Sequence, residues 1–215
     1  MNVIITGTTG MVGEGVLLEC LENPVVTKVL SVSRKPTGRT HPKLTELLVP
    51  DFQKLDGVRE QLTGYDACLY CAGISSVGMS EADYTVITYD TPLAFAKTLL
   101  ELNPGMSFIH ISGRSTDGTG QGKVMWARIK GRAENALMKL PFKHVVNLRP
   151  ALMKPTPGQT RAGAGLKVAA ALLGWIPPLQ AITLQQLARA MLNAAQGKAP
   201  KQVLEVPDII ALAGG

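Results

Sequence analysis

The feature that most constrains the fold is a set of three evenly spaced glycines close to the start of the chain. They belong to the segment Gly7-Thr8-Thr9-Gly10-Met11-Val12-Gly13. An apolar run, residues 3–6, precedes this segment, and a helical pattern over residues 11–22 follows it. A strand, a Gly-rich turn and a helix in this order form the setting in which a chain binds the pyrophosphate of a dinucleotide. The N–H groups at the start of the helix then face the phosphates.

Each glycine of this turn has a distinct physical role. Gly7 allows the tight turn after the strand, because glycine tolerates backbone angles that other residues avoid. Gly10 lets the backbone approach a pyrophosphate, and Gly13 lets the helix pack closely on the strand. We therefore predict that the turn binds a dinucleotide rather than serving as a structural turn alone.

Short apolar runs alternate with helical patterns along most of the chain. The predicted strands are residues 3–6, 28–33, 47–49, 67–71, 107–111 and 145–148. The predicted helices are residues 11–22, 54–62, 80–102, 124–140, 165–174 and 184–195. Pro92 lies inside one of these patterns, and we expect that helix to kink or restart there. The alternation predicts an α/β fold: a doubly wound parallel sheet (Rossmann fold) with helices on both faces and a small C-terminal helical extension.

Composition limits the architecture and the partners. The chain has 215 residues, of which 46% are hydrophobic, so we expect one domain over residues 1–215. Its net charge of +6 favours anionic partners such as nucleotide phosphates. No recognition-helix pattern is visible, so nucleic acid is not an expected partner. The three cysteines fit a reducing compartment, and we expect a cytoplasmic location.

Residues 150–180 are predicted to form a substrate-side extension or lid within this domain. Residues 150–158 are rich in Pro and Gly, and residues 162–179 are apolar but interrupted by Lys167 and Pro177-Pro178. These interruptions argue against a membrane span, which needs about 20 apolar residues. The apolar stretch predicts either a lid over an apolar ligand or a face that packs in the core or in a homo-oligomer.

The residues after the second predicted strand indicate which dinucleotide to expect. In NAD enzymes, an acidic residue about 20 positions beyond the glycines binds the ribose 2′-hydroxyl. This chain has Ser33-Arg34-Lys35 there. A guanidinium can bind a 2′-phosphate through two hydrogen bonds, so Arg34 and Lys35 favour NADP(H) over NAD, the alternative being a solvated basic turn.

Further contacts with the dinucleotide are expected where the third and fourth strands end. Asp51 follows the third strand and can contact the adenine. Cys71, Ala72 and Gly73 end the fourth strand and can pass close to a ribose. Ligands of open parallel sheets bind at the carboxyl ends of the strands, which is where all four residues are expected to lie.

Motifs in the second half of the chain add a family resemblance. They are Ser112 at the end of the fifth strand, Trp126-Ala127-Arg128-Ile129-Lys130 in a helix, and Leu148-Arg149-Pro150 after the sixth strand. Together with the Gly-rich turn they resemble the short-chain dehydrogenase/reductase superfamily over roughly residues 1–150, and more loosely beyond. The chain is most similar to the small atypical group that contains the Tat-interacting-protein-like oxidoreductases and the epimerase-like proteins.

The resemblance implies a catalytic set of Ser, Tyr and Lys, with the Lys four residues after the Tyr. In the superfamily, the Ser polarises the substrate carbonyl, the Tyr exchanges the proton, and the Lys binds the nicotinamide ribose and lowers the pKa of the Tyr. Ser112 and Lys130 match this pattern, but position 126 is Trp. An indole N–H donates a hydrogen bond but cannot act as a general acid or base. Ser112, Trp126 and Lys130 are therefore the candidate catalytic residues.

Other polar residues near these motifs are weaker candidates for a catalytic or ligand-binding role. Tyr84, Tyr89 and Asp90 follow the fourth strand, where packing is the better interpretation of each. Arg114 and Asp117 lie in the loop after the fifth strand, which either faces a substrate or is solvated. No metal site is expected, because the three histidines lack the spacing of metal ligands.

Two functions are consistent with these residues. The first is an NADPH-dependent oxidoreductase or epimerase-like enzyme that acts on a small carbonyl substrate near Ser112 and Trp126, with Lys130 on the ribose. The second is a non-catalytic NADP(H)-binding sensor or regulatory protein, as in the NmrA-type regulators, which keep the fold and lose the tyrosine. Binding alone requires only the glycines, Arg34 and Lys130.

Overall fold

A computed structural model describes residues 1–160 and 181–214 of the chain. Its strands are β1 Asn2–Thr6, β2 Lys28–Ser33, β3 Leu44–Leu48, β4 Ala67–Tyr70, β5 Ser107–Ile111, β6 His144–Leu148, β7 Met153–Lys154, β8 Ile182–Thr183 and β9 Val203–Leu204. Seven of these form one parallel sheet in the order β3-β2-β1-β4-β5-β6-β9, and β7 pairs with β8. The order reverses between β1 and β4, which makes that crevice the expected ligand site.

Helices cover both faces of this sheet. They are α1 Met11–Glu22, α2 Glu81–Thr85, α3 Thr91–Leu102, α4 Met125–Met138, α5 Leu184–Ala195 and α6 Val206–Leu212. Alternate residues of a strand point to opposite faces. Val3 and Ile5 accordingly join a core cluster with α1, α5 and α6, whereas Ile4 joins a second cluster with α3 and α4. The predicted doubly wound parallel sheet with helices on both faces is confirmed.

Some predicted boundaries differ from the structure. The third strand begins at Leu44 rather than at residue 47. Residues 54–62 form no α-helix but two short 3₁₀ turns, Asp56–Val58 and Glu60–Leu62. Gly57 falls in the middle of that segment, and a helix of nine residues has too few hydrogen bonds to offset the cost of its nucleation.

The long helix predicted after the fourth strand is divided into three parts. Ser80 caps α2, as its side chain accepts a hydrogen bond from the Asp83 backbone N–H over 3.1 Å. A π-helix, Val86–Asp90, then joins α2 to α3. Pro92 is the second residue of α3 and directly follows this junction, and it has no backbone N–H to donate to the preceding turn. Asp90 and Thr91 keep helical backbone angles, so the chain continues into α3 through a widened turn and does not restart near Pro92.

The helix α5 has the limits predicted from its pattern, residues 184–195. The two-residue strands β7, β8 and β9 and the short helix α6 were not predicted, because segments of this length have no readable periodicity. The predicted helix over residues 165–174, and the lid beyond residue 160, lie outside the described residues. Within the described parts, no helix is long and apolar enough to cross a membrane.

Candidate functional site

A cavity of about 840 Å³ opens at the carboxyl ends of the central strands. Its walls are the Gly-rich turn after β1, the chain just after β2, β3, β4 and β5, the π-helix, and one residue of α4. The lining includes these predicted site residues: Gly7, Thr9, Gly10, Met11, Val12, Gly13, Arg34, Asp51, Cys71, Ala72, Gly73, Ser112 and Lys130. Thr8, Lys35 and Trp126 are predicted site residues that lie outside the lining.

The Gly-rich turn has the geometry expected of its first and third glycines. Gly7 has a φ of +70°, and a Cβ there would lie 2.7 Å from the carbonyl oxygen of Cys71. A Cβ on Gly13 would lie 2.2 Å from the Gly7 carbonyl oxygen, so α1 packs this close to the turn because residue 13 has no side chain. Gly10 caps α1 with an ordinary extended backbone. The first N–H groups of α1 therefore open on the cavity, without acceptors inside the helix.

Thr6 and Thr8 hold this turn against the neighbouring strands. The Thr6 hydroxyl oxygen accepts hydrogen bonds from the backbone N–H groups of Cys71 and Ala72, each over 3.1 Å. Thr8 is buried, and its hydroxyl lies 2.7 Å from that of Ser31. Thr8 thus supports the turn from behind, whereas Thr9 lines the cavity.

One end of the cavity lies past β2 and β3. Arg34 is exposed there and lines the cavity together with Ser33 and Asp51. Asp51 accepts a hydrogen bond from the Gln53 backbone N–H over 2.9 Å, which orders the turn after β3. Lys35 is exposed outside the lining, and its carbonyl accepts a hydrogen bond from the Ser33 hydroxyl over 2.6 Å. Arg34 is therefore the cation of the Ser33-Arg34-Lys35 segment that faces the cavity.

The opposite end of the cavity holds Ser112 and Lys130. Ser112 is buried, and its Oγ lies 3.1 Å from Oγ1 of Thr116, which donates a hydrogen bond to the Gly113 carbonyl over 2.7 Å. The Lys130 side chain runs beside Gly113, with its Cδ and Cε 4.0 Å from where a Cβ would stand. The spacing that predicted a shared site for Ser112 and Lys130 does bring both to one cavity.

Trp126 is half-buried at the start of α4, outside the cavity lining. Residues four apart on a helix are offset by about 40° around its axis, so Trp126 and Lys130 share a side without facing the same point. Arg128 fixes this end of α4, because its guanidinium donates to both Glu81 carboxylate oxygens over 2.8 Å and to the Gly122 carbonyl over 2.6 Å.

Burial sets the electrostatics around Lys130. Desolvation lowers the pKa of Lys130, and the nearby Glu134 opposes that shift. The buried Glu134 carboxylate accepts two hydrogen bonds from Arg149, over 3.0 and 2.6 Å, and Arg149 also bonds Glu205. His110 lies on β5 behind the site, where burial lowers its pKa to about 4. Arg149 is therefore the main partner of Glu134, a pairing that the helical spacing between Lys130 and Glu134 did not reveal.

The other polar candidates of the sequence serve packing and loop order. Tyr84 is buried, which raises its pKa, and Tyr89 packs its ring under Arg132 at 5.2 Å. Asp117 organises its own loop, because its carboxylate accepts hydrogen bonds from Thr119, Gln121 and Gly122, which lower its pKa. Together with Asp90 and Arg114, these residues lie outside the cavity lining.

Sequence reasoning missed the apolar part of the cavity. Ile74, Val86 and Ile87 line it and are 48%, 46% and 38% exposed. The π-helix carries two of the three, and such widened turns often occur at functional sites. A helical pattern read with a regular period could not show that Val86 and Ile87 turn toward a cavity.

A second group of contacts, the α1 anchor, joins the start of α1 to Arg39 and to residues 159–160. Buried Glu14 accepts hydrogen bonds from Arg39, over 2.7 Å, and from the backbone N–H and hydroxyl of Thr160, over 3.0 and 2.8 Å. Gln159 donates to the Met11 carbonyl over 2.7 Å. The α1 anchor thus ties the first turn of α1 to residues 159–160.

A sequence model of one family covers the Gly-rich turn, the central strands and the start of α4. The description of that family is "NAD dependent epimerase/dehydratase family", and the match extends over residues 3–131. The chain belongs to this family. A nicotinamide dinucleotide is therefore the cofactor class of the family, and the Gly-rich turn of this member lines the cavity where such a ligand would bind.

Curated relatives of similar length are fungal proteins. The chain is 28% identical over 216 residues to "Protein fmp52, mitochondrial" of Emericella nidulans, covering 93% of this chain and 91% of that protein. The corresponding protein of Chaetomium globosum is 27% identical over 225 residues, with coverage of 97% and 95%. A leucinostatins biosynthesis cluster protein T of Purpureocillium lilacinum is 28% identical over 144 residues, and the match spans 65% of this chain but about half, 52%, of that protein.

The names of these relatives correct one expectation. Both proteins of similar length are named as mitochondrial, so the prediction of a cytoplasmic location is wrong by this comparison. A sparse, odd number of cysteines argues against a disulfide framework but does not specify a compartment. Cysteine content therefore could not support that prediction.

Solved structures agree with the fold. A UDP-N-acetylglucosamine 4-epimerase from Methanobrevibacter ruminantium superposes with a TM-score of 0.68 at 20% identity, covering 95% of this chain and 76% of that one. MoeE5 in complex with UDP-glucuronic acid and NAD gives a TM-score of 0.70 at 18% identity, with coverage of 96% and 76%. At these identities the likeness establishes the Rossmann-type architecture.

Proposed function

We propose that this protein binds NADP(H) and acts as an oxidoreductase or epimerase-like enzyme on a small, apolar carbonyl compound. One observation carries the proposal: a single cavity joins the Gly-rich turn and Arg34 at one end to Ser112 and Lys130 at the other. Dinucleotide sites in this fold run across the same crevice, from the strand that follows the first helix to the far side of the switch point.

The residues of the cavity fit a dinucleotide. A Cβ on Gly7 or Gly13 would collide with backbone, so the turn keeps the shape that exposes the first N–H groups of α1. Those groups and the positive end of the helix dipole suit a pyrophosphate. Arg34 would bind a 2′-phosphate, and Lys130 would bind the nicotinamide ribose. The reduced nicotinamide, when bound, supplies a hydride.

Ser112 is suited to hold the substrate oxygen. Its backbone N–H donates to the Leu148 carbonyl over 2.8 Å, which fixes the residue at the end of β5. The Thr116 hydroxyl has one hydrogen, and it donates this hydrogen to the Gly113 carbonyl. In the hydrogen bond between the two hydroxyls, Ser112 is therefore the donor and Thr116 the acceptor. To polarise a carbonyl, Ser112 would turn this hydrogen from Thr116 to the substrate.

Support for the substrate class comes from an apolar rim in the cavity lining, which consists of Ile74, Val86 and Ile87. Among the described residues of the lining, the cations are Arg34 and Lys130, and the dinucleotide would occupy both. Neither of these two cations would then remain to bind the diphosphate of a nucleotide sugar. An apolar carbonyl compound needs none, and it would bury the rim side chains.

The test measures NADPH consumption by the purified protein with aldehydes of increasing chain length, and for comparison it follows the conversion of a UDP-sugar, with oxidised dinucleotide present, by chromatography of the sugar product. We expect turnover of the aldehydes, with KM falling by up to about fourfold for each added methylene that the site buries. The variant Ile87→Ser should weaken this dependence, whereas Val25→Ser should not, because Val25 is similarly exposed but outside the lining. Turnover of the UDP-sugar alone would contradict the apolar substrate.

A non-catalytic NADP(H) sensor is the second candidate, and the position of Trp126 favours it. The family pattern places a proton-exchanging tyrosine at position 126, whereas this chain has an indole that also lies outside the cavity lining. Tight NADPH binding, measured by calorimetry, without turnover of any aldehyde or ketone would establish the sensor in place of the enzyme.

A further inference from the structure

The reactive end of the cavity contains few groups that could deliver a proton. Of the described lining residues, Tyr70 and Cys71 carry acidic hydrogens, but burial raises the pKa of both groups. A weaker acid transfers its proton less readily to a developing alkoxide. The Ser112 hydroxyl can hold the substrate oxygen but is too weak an acid to supply a proton by itself. Among the described lining residues, Lys130 is the remaining proton-bearing group beside Ser112.

Several structural features keep the Lys130 ammonium available. Its side chain passes along Gly113, where the absent Cβ leaves room for the alkyl chain. On its own helix it faces Glu134, whose carboxylate is held by two hydrogen bonds from Arg149, at the end of β6. On β5 it faces His110, whose depressed pKa keeps that imidazole neutral above about pH 4. Lys130 is thus desolvated without a carboxylate bound directly to its ammonium among the described ion pairs.

We infer that Lys130 is the proton donor for carbonyl reduction in this protein, in place of the family's tyrosine. This inference rests on the proposed function. The carbonyl carbon accepts a hydride from the reduced nicotinamide, and the carbonyl oxygen accepts one proton from the Lys130 ammonium. The N–H bond breaks and the O–H bond of the alcohol forms. Lys130 becomes a neutral amine and recovers its proton from water.

Lysine chemistry permits this role alongside ribose binding. An ammonium has three N–H donors, so one can bond the ribose while another points toward the carbonyl oxygen beside Ser112. Desolvation lowers the pKa of Lys130, which makes its ammonium a better acid than an exposed lysine. Arginine also has several donors and a permanent charge but does not release a proton in proteins.

The experiment therefore compares Lys130→Arg with Lys139→Arg, an exposed lysine at the other end of α4. Lys130→Arg should still bind NADPH by calorimetry but lose turnover by about 10²- to 10⁴-fold, the usual contribution of a general acid. Wild-type turnover should fall as the pH rises through the pKa of Lys130, since the neutral amine has no proton to give. Lys139→Arg should match the wild type throughout.

A second readout needs neither cofactor nor turnover. The rate of acetylation of each lysine in the cofactor-free protein is followed by peptide mass spectrometry as a function of pH. Lys130 should reach half its maximal rate at a lower pH than Lys139. If Lys130 and Lys139 reach half their maximal acetylation rates at the same pH, or if Lys130→Arg keeps full turnover, Lys130 is not the proton donor. Either result would leave the proposed function standing. A wild-type protein that reduces no carbonyl would overturn the proposed function and, with it, this inference.

Discussion

Arg34 and Lys35 show how much a single position matters in a basic turn. The two residues are adjacent and equally charged, and both are exposed. Arg34 lines the cavity, whereas Lys35 lies outside its lining. The chain bends at both residues just after β2, and this bend places Arg34 but not Lys35 in the cavity lining.

This difference makes a prediction about cofactor choice. Arg34→Ala should raise the Kd for NADPH on the order of 10- to 100-fold, the value of hydrogen bonds to a charged group, while leaving the Kd for NADH nearly unchanged. Lys35→Ala is the matched control and should change neither affinity by more than about threefold. Calorimetric titration with both dinucleotides decides the matter. Equal losses for NADH and NADPH in Arg34→Ala would refute a 2′-phosphate contact.

At the scale of elements, the sequence predicted what periodicity and turn chemistry can encode. The sequence predicted the central strands, α1 and α5, because each of these elements is long enough to show a periodic pattern and is bounded by Gly, Pro or a capping residue. The π-helix Val86–Asp90 was not, because it keeps a helical composition while changing the angle at which its side chains emerge. Val86 and Ile87 of the apolar rim were missed for the same reason.

The site was predictable to a similar degree. Spacing along the sequence was enough to associate Ser112 with Lys130, since the family pattern places one at the end of a strand and the other on the helix that follows. It could not exclude Trp126 from the lining, because a 40° offset on a helix depends on how that helix is seated. Nor could it find the pairing of Glu134 with Arg149, which joins two elements that only the folded sheet brings together.

The junction between the Gly-rich turn and α1 gives a prediction at this scale. Gly13→Ala should lower the free energy of unfolding by about 1–3 kcal/mol through overpacking against the Gly7 carbonyl, despite the better helix propensity of Ala. The same variant should lose NADPH affinity, because the turn must shift. Gly57→Ala is the control, since a Cβ there meets nothing within 4 Å. Denaturant titration of both variants tests this, and equal stabilities would rule out the close approach.

At the scale of the whole molecule, the sheet carries a polar interior near β5 and β6. His110 is buried, and its Nδ1 lies 2.9 Å from Oδ1 of Asn147, on the adjacent strand. The amide nitrogen of Asn147 has no hydrogen-bond partner among the described residues. Burial lowers the pKa of His110 to about 4, from an ordinary value of 6.5, so the folded protein holds this imidazole neutral.

A pH dependence of global stability follows. The unfolded chain binds a proton at His110 more readily than the folded chain does. The contribution of neutral His110 to the stability of the fold is therefore complete above about pH 6.5, and it is lost as the pH falls toward 4. This loss lowers the free energy of unfolding by roughly 3 kcal/mol. Thermal unfolding of wild type and His110→Gln between these pH values should show a steeper fall in Tm for the wild type. His41→Gln, at a less buried histidine, should follow the wild type, and parallel curves for all three would contradict the assignment.

The α1 anchor has a consequence for how ligand binding in the cavity affects residues 159–160. The first turn of α1 opens on the cavity at one edge and is tied to residues 159–160 through Glu14 and Gln159 at the other. A dinucleotide that orders this turn would also order residues 159–160 through the α1 anchor. Thermodynamic linkage is reciprocal, so a second ligand that depends on residues 159–160 should tighten the dinucleotide by the same factor by which the dinucleotide tightens it.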